Sequence, residues 1–170
     1  ERSKETARKI MVWLKTLAVY PRPDMCYLPA GQGAVEQDGT PVPNGWNRMP
    51  SPIIEPLINY FLACGDQEAL DFAKAYAEGI MAGAQPGGIK IKADGDIDNG
   101  HSHTTMHAIW GVAHLGVVTG DERYTAFAKR SWDFMLSRGT GAGWFPALPG
   151  GYPSDETCLT SDMMSNAAMI

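Results

Sequence analysis

Residues 62–79 read LACGDQEALDFAKAYAEG, and a similar segment, VVTGDERYTAFAKRSWDF, follows at residues 117–134. The two copies are 55 residues apart, which is the difference between positions Gly120 and Gly65. In each copy a Gly-Asp pair separates two runs of apolar residues at helical spacing. A glycine that ends one helix and an aspartate that caps the next predict antiparallel helices joined by a tight turn. Self-similarity at a fixed period indicates repeated units that bury their apolar faces against one another.

The repeat predicts three helical hairpins. The predicted segments are an amphipathic helix over 1–17, a first hairpin over 51–82, a second hairpin with helices over 103–118 and 124–136, and the opening helix of a third over 157–170. Ser51-Pro52 is a suitable cap and first-turn pair for the first hairpin. Pro21 and Pro23 end the first helix, and the Gly- and Pro-rich segment after them predicts a long loop that can hold a short β-hairpin.

Hairpins repeated in this way build either an open solenoid or a closed α/α toroid. The period is longer than the roughly 34 to 47 residues of helical solenoids, and the extra length lies in the loops between hairpins. Long loops on a single end suit a toroid whose mouth holds a site. We therefore predict an all-α fold in which residues 1–170 form a single partial domain of an (α/α)6 toroid, truncated at both ends. We expect either the rest of the toroid or another copy of the chain to cover the open helix faces.

Composition excludes several other classes of protein. The net charge of −5 and the scattered lysines and arginines argue against a nucleic-acid partner and against an anionic membrane surface. No stretch reaches the roughly 20 apolar residues of a membrane span. The three cysteines, Cys26, Cys64 and Cys158, are an odd and widely spaced set, which argues against a disulfide framework.

The same period of 55 residues places Trp46, His101 and Glu156 at one register of successive units, just before or at the start of each first helix. In a toroid these positions face one central mouth. A histidine and a carboxylate there can act as acid, base or metal ligand, and we predict His101 and Glu156 as the catalytic candidates. The alternative is that these residues only cap helices.

The motif Glu156-Thr157-Cys158 is the sharpest local signal for a metal. A carboxylate and a thiolate two residues apart can both reach a metal ion from a turn, and this donor pair suits zinc. A complete zinc site needs about four ligands, and no second cysteine lies nearby in the sequence. The alternative is that Cys158 is a small buried apolar residue.

Four histidines form a second cluster. His101 comes first, and the following spacings of four and seven residues put His103, His107 and His114 on one helix face. The first spacing resembles that of zinc-binding helices, but Thr104 stands where those helices carry a glutamate. We therefore expect substrate hydrogen bonds from His101 and His103, and a core position for His114.

The alternating Asp94, Asp96 and Asp98 resemble part of a calcium loop. The glycine that such a loop needs comes one place late, at Gly100, and its twelfth position is Thr105 instead of glutamate. A solvated turn is the better interpretation, although one of these aspartates could serve as an acid at the rim.

Aromatic residues precede Glu156 and stand in the equivalent earlier loop. They are Trp144, Phe145, Tyr152 and Trp46. Aromatic rings beside carboxylates and histidines are typical of a sugar site, because the rings stack on the C–H faces of a sugar. We predict all four, with His103, as substrate-binding residues. The alternative is that the rings pack the loops onto the body of the protein.

Together these motifs resemble the six-hairpin glycosidases, and most of all the bacterial β-L-arabinofuranosidase family of glycoside hydrolases. The resemblance rests on the repeat, on Asn99-Gly100-His101 entering a helix, and on the segment YPSDETC at 152–158. It implies that Glu156 and Cys158 bind zinc with two further cysteines, one of them the nucleophile, and that His101 contacts the substrate. Two departures stand out. The family's His-Gly-Glu segment, which supplies a general acid, is replaced here by GAGWF at 141–145, and the two further cysteines would lie beyond Ile170.

The sequence therefore predicts a glycoside hydrolase that acts on an oligo- or polysaccharide. Such an enzyme needs an acid for the leaving oxygen and a nucleophile or base opposite it, and Glu156 is the best carboxylate for the second role if no metal is present. One alternative is a sugar epimerase or polysaccharide lyase on the same architecture, with His101 as base. The other is a helical-repeat module that binds carbohydrate without catalysis.

Overall fold

The computed structural model describes residues 2–28, 52–84, 91–92, 94–98, 101–150 and 156–170. Its elements are α1 (Arg2–Leu17), β1 (Val19–Arg22), β2 (Met25–Tyr27), α2 (Ile54–Cys64), α3 (Gln67–Met81), α4 (Ser102–Thr119), α5 (Glu122–Leu136) and α6 (Thr157–Ala167). Most of the described residues are helical, which confirms the all-α prediction. The described strands β1 and β2 form one small antiparallel hairpin. None of the described helices is long and apolar enough to cross a membrane.

The two Gly-Asp turns have the same geometry in both hairpins. Gly65 ends α2 with φ 70°, and Gly120 ends α4 with φ 71°, both in the left-handed region where glycine carries no Cβ penalty. Asp66 accepts a hydrogen bond from the N–H of Glu68 at 3.1 Å, and Asp121 accepts one from the N–H of Arg123 at 3.0 Å. The tight turns predicted from the repeat are therefore confirmed.

The helices form two layers. α4 packs against α2 on one side and α6 on the other, while α3 packs on α2 and α5 packs on α4. Gly111 lets α4 approach α2 closely, since a Cβ at this position would lie 2.8 Å from the Cβ of Ile54. Phe72 and Phe127, which are equivalent in the repeat, fill the core between the layers with 2% and 1% of their surface exposed. The first helix of each hairpin thus meets the first helix of the next.

Two of the predicted helix boundaries are wrong, and a third is right for a different reason. The N-cap of α2 is Ile53, which makes no side-chain capping bond, so Pro52 precedes the cap instead of opening the helix. Ser51 lies outside the described residues. α1 ends at Leu17 as predicted, but the prolines do not end it, since β1 begins at Val19 and contains Pro21. α6 ends at Ala167, short of the predicted residue 170.

Ion pairs join α1 to the turn between α2 and α3. The guanidinium of Arg8 lies 2.5 Å from the carboxylate of Asp66, and the ammonium of Lys15 lies 2.5 Å from that of Glu68. Met11 of the same helix is buried in the core. The first helix is therefore held by one apolar anchor and by charges at the turn end of the first hairpin.

Candidate functional site

The N-termini of α4 and α6 meet through the residues that precede them. His101 is the N-cap of α4 and Glu156 is the N-cap of α6, and both have extended backbone conformations. The imidazole Nε2 of His101 lies 2.8 Å from Oε1 of Glu156, within hydrogen-bond distance. The structure thus brings together two residues that the repeat had placed at one register.

Neither residue of this pair caps its own helix with its side chain. The other ring nitrogen of His101, Nδ1, lies 2.9 Å from the hydroxyl oxygen of Thr104. Both members stay partly open to solvent, with 19% of the His101 side chain and 27% of the Glu156 side chain exposed. An imidazole held at both nitrogens beside an accessible carboxylate can move a proton to or from a bound ligand.

Cys158 approaches the same carboxylate from the first turn of α6. Its thiol donates to Oε2 of Glu156 at 3.8 Å. Partial burial, and next the negative charge of Glu156, raise the pKa of the Cys158 thiol. The thiol therefore keeps its proton at neutral pH and is not an activated nucleophile, although its side chain is exposed.

The zinc prediction is not completed by the described residues. Glu156 and Cys158 converge as a pair of donors, but zinc needs about four ligands. In the part of the chain that the structure describes, no group of three or more His, Cys, Asp or Glu side chains is arranged to hold a metal ion. Zinc binding by Glu156 and Cys158 therefore stays a prediction.

A second contact between α4 and α6 is centred on Asp162, which the sequence analysis did not single out. Its Oδ2 is hydrogen-bonded to Nδ1 of His103, and its Oδ1 lies 3.6 Å from Nδ1 of His107. Burial raises the pKa of Asp162, against the opposing effect of the two histidines. The repeat could have indicated this residue, since 55 residues before Asp162 is His107.

His114 was expected in the core, and this expectation needs correction. Its Nδ1 lies 2.7 Å from Oε2 of Glu55 in the first turn of α2, and 15% of its side chain stays exposed. Glu55 also accepts a hydrogen bond from Asn59 at 3.1 Å. His114 is therefore a half-buried partner of a carboxylate, which offsets the cost of placing both polar groups between helices.

The three aspartates before α4 form a turn. Asp94 accepts a hydrogen bond from the N–H of Asp96 at 3.1 Å, and Asp98 lies 2.7 Å from the ammonium of Lys92. A bridge between Ile91 and Ile97 closes the segment. These contacts favour the interpretation as a solvated turn over the calcium loop.

The predicted aromatic residues have different environments. Trp144 is exposed, with 45% of its surface accessible, whereas Phe145 is 7% exposed and lies against Gly139. The burial of Phe145 favours the alternative in which this ring holds the loop on the body. Its carbonyl accepts from the N–H of Glu156 at 3.3 Å, which fixes the start of α6. Trp46 and Tyr152 lie outside the described residues.

Comparisons of the chain with models of known protein families, with curated proteins and with solved structures give no match. The resemblance to the β-L-arabinofuranosidase family therefore rests on the motifs quoted above and stays a prediction.

Proposed function

We propose that this chain is part of a carbohydrate-active enzyme with an (α/α)6 toroid fold, and that it is a glycoside hydrolase. The observation that carries the proposal is the contact between His101 and Glu156. Two N-cap side chains leave their own helices uncapped and bond to each other, at the end of the hairpins where the long loops lie. This arrangement loses the stabilisation that a side-chain cap would give to each helix. Such a loss is typical of residues that act on a ligand.

In this proposal Glu156 is the base or nucleophile that faces the sugar, and His101 holds its carboxylate in one orientation. Glu156 itself takes the proton of an attacking water, while the Nε2–H group of His101 donates to Oε1 at 2.8 Å and holds the carboxylate in place. The acid for the leaving oxygen comes from another residue, as the two-carboxylate scheme requires. Trp144, exposed near the start of α6, offers a surface for sugar stacking.

A sugar epimerase or polysaccharide lyase is the second candidate. The observation that favours it is that the central contact joins an imidazole to a carboxylate instead of joining two carboxylates. In this scheme Nδ1 of His101 takes a proton from a sugar carbon after the Thr104 hydroxyl turns away from it, and Glu156, on Nε2, orients the ring and stabilises the imidazolium.

Product analysis separates these candidates. The purified protein is incubated with arabinan, xylan and polyuronate fragments, first in water and then in D2O. New reducing ends indicate hydrolysis, whereas ultraviolet-absorbing unsaturated uronates indicate a lyase. Deuterium at a sugar carbon without chain cleavage indicates an epimerase.

Two variants and one matched control connect the product to the pair. Glu156→Gln and His101→Ala should lower the rate about 100- to 10,000-fold, the usual contribution of a positioned acid or base. Asp121→Ala removes another N-cap side chain, at the far end of the hairpins, and should leave the rate unchanged. Sugar binding without any product, unaffected by the two variants, would contradict both enzyme candidates and favour a non-catalytic binding module.

A further inference from the structure

A row of ring side chains follows the His101–Glu156 pair along α4, and these rings have no role in the proposed cleavage step. The row consists of His103, His107, Trp110 and His114, at intervals of four, three and four residues, so the rings lie on one helix face. The ring centroids of His103 and His107 are 6.1 Å apart, and those of His107 and Trp110 are 5.2 Å apart. The first three rings therefore form one continuous surface.

Both imidazoles at the start of the row turn the same ring nitrogen toward Asp162, with a hydrogen bond to His103 and a separation of 3.6 Å from His107. Asp162 faces Nδ1 of His103 and Nδ1 of His107, and only 8% of its own side chain is exposed. An ionised carboxylate accepts hydrogen bonds and donates none, so it favours the tautomer with the proton on Nδ1. In that tautomer Nε2 carries a lone pair. Among the described residues, neither Nε2 has a hydrogen-bond partner, while 34% and 31% of the two side chains are exposed.

Trp110 continues this surface with an aromatic ring and one unused donor. Its indole Nε1 is buried and has no hydrogen-bond partner within the described part of the chain. A tryptophan N–H in that position usually finds a partner. Since this N–H is buried, what the half-buried indole adds beside the two imidazoles is an apolar face.

We propose that His103, His107 and Trp110 form a sugar-binding subsite on α4, oriented by Asp162. The two Nε2 atoms accept hydrogen bonds from sugar hydroxyls, and the indole packs on the C–H face of the ring. Asp162 is a positioning residue, because it fixes both imidazoles without touching the sugar. This inference rests on the proposed carbohydrate function, and it places sugar binding along α4 and bond cleavage at the N-termini of α4 and α6.

The length and charge of the row define the class of ligand. His103 and His114 are 11 residues apart in the sequence, or about 16 Å along the helix, which is longer than a single sugar ring. Three carboxylates, Glu55, Glu156 and Asp162, flank the rings. Like charges repel, so the subsite suits a neutral oligosaccharide better than a polyuronate. This preference supports the hydrolase over a uronate lyase.

Nuclear magnetic resonance of the 15N-labelled protein tests the subsite, with arabinotriose and xylotriose as probes. We expect the ring signals of His103 and His107 and the indole signal of Trp110 to shift together with those of His101. His107→Ala and Trp110→Ala should each weaken binding about 10-fold, the loss expected for one good hydrogen bond or stacking contact. Trp13→Ala is the matched control, since Trp13 is an exposed tryptophan on α1 and its loss should leave binding unchanged.

The Asp162→Asn variant tests the positioning role without a change in side-chain volume. The 15N shifts of the two histidines should move from the Nδ1–H tautomer toward the Nε2–H tautomer, and sugar binding should weaken as the acceptors are lost. Unchanged tautomers with unchanged binding would overturn the role of Asp162.

The failure of the subsite and the failure of the proposed function give different spectra. If the sugars shift only the His101 signals, and His107→Ala and Trp110→Ala bind as the wild type does, the subsite is overturned while the hydrolase proposal stands. If neither trisaccharide shifts any of these ring signals, both are overturned.

Discussion

The two ends of the helical hairpins use the same backbone position in opposite ways. At the turn end, Asp66 and Asp121 are N-caps whose carboxylates accept hydrogen bonds from their own helices. At the loop end, His101 and Glu156 are N-caps with similar extended backbones, yet their side chains bond to each other across two helices. A side-chain cap contributes about 1 kcal/mol to helix stability. A helix start that lacks one although its N-cap side chain is polar is therefore a candidate for function.

The largest expected effect comes from restoring the missing caps. Serine is a good N-cap, so Glu156→Ser and His101→Ser should each stabilise the protein by up to about 1 kcal/mol. The same variants should lose about 100- to 10,000-fold in rate, because they remove the acid–base pair. Thermal melting and a product assay on the same preparations measure both effects.

The opposite result would show that the His101–Glu156 pair serves the fold. Serine variants that melt at a clearly lower temperature than the wild type while keeping their rate would make the pair a structural contact. Asp121→Ser is the control for both measurements, since it exchanges one capping side chain for another and should change little.

The cores of the two hairpins should contribute similarly to the free energy of unfolding. Phe72 and Phe127 occupy equivalent positions and are almost fully buried. Phe72→Ala and Phe127→Ala should each cost about 3–5 kcal/mol of unfolding free energy through lost burial and a cavity. Leu62→Ala, at a position 58% exposed, should cost far less in the same urea titration. A cost below about 1 kcal/mol for either phenylalanine would show that its copy lacks a packed core.

The two ends should also differ in how their carboxylates titrate. Hydrogen bonds from the side chain and then from the backbone of Arg123 lower the pKa of Asp121 from 3.8. Burial raises the pKa of Asp162 above 3.8. Titration of the carboxyl carbons by nuclear magnetic resonance should therefore find the midpoint of Asp162 above that of Asp121.

The same shifts fix the sign of the effect on stability. The contribution of Asp121 is present above pH 3.8 and is lost as the pH falls through its lower folded pKa, because the unfolded chain takes up the proton first. The contribution of Asp162 is present below pH 3.8 and is lost as the pH rises through its higher folded pKa, since the folded chain keeps the proton longer. From pH 3 to pH 6, Asp162→Asn should therefore gain stability relative to the wild type, and Asp121→Asn should lose it. Parallel curves for the two variants would contradict this contrast.

The turns could be predicted from sequence because their causes are local. A glycine with positive φ followed by a capping aspartate is determined by a few neighbouring residues, and Gly65 and Gly120 confirm this. The convergence of His101 and Glu156 followed from the period alone, since equivalent positions of neighbouring units lie side by side. No such rule predicts Ile53 as the N-cap of α2, because isoleucine has no side-chain acceptor and makes no capping bond.

Contacts between successive first helices were harder to predict. His103 pairs with Asp162 and His114 pairs with Glu55, and in each case the partners are 59 residues apart, one helical turn more than the period. This extra turn depends on how α4 packs against its neighbours. One point of that packing is Gly111, where α4 lies close to Ile54 of α2. The sequence shows the four histidines on one face, but the carboxylates that hold them depend on this packing.

The smallest expected effect separates the two capping aspartates from each other. Asp66 caps α3 and also binds Arg8 of α1, whereas Asp121 caps α5 and binds Arg123, only two residues away. Asp66→Ala should therefore cost somewhat more than Asp121→Ala, since it also releases a contact between distant helices. Asp66→Asn keeps the cap and removes the charge, so its cost in urea unfolding measures the ion pair alone. If Asp66→Asn is as stable as the wild type and both alanine variants cost the same, Arg8 contributes nothing, and α1 is held by the burial of Met11.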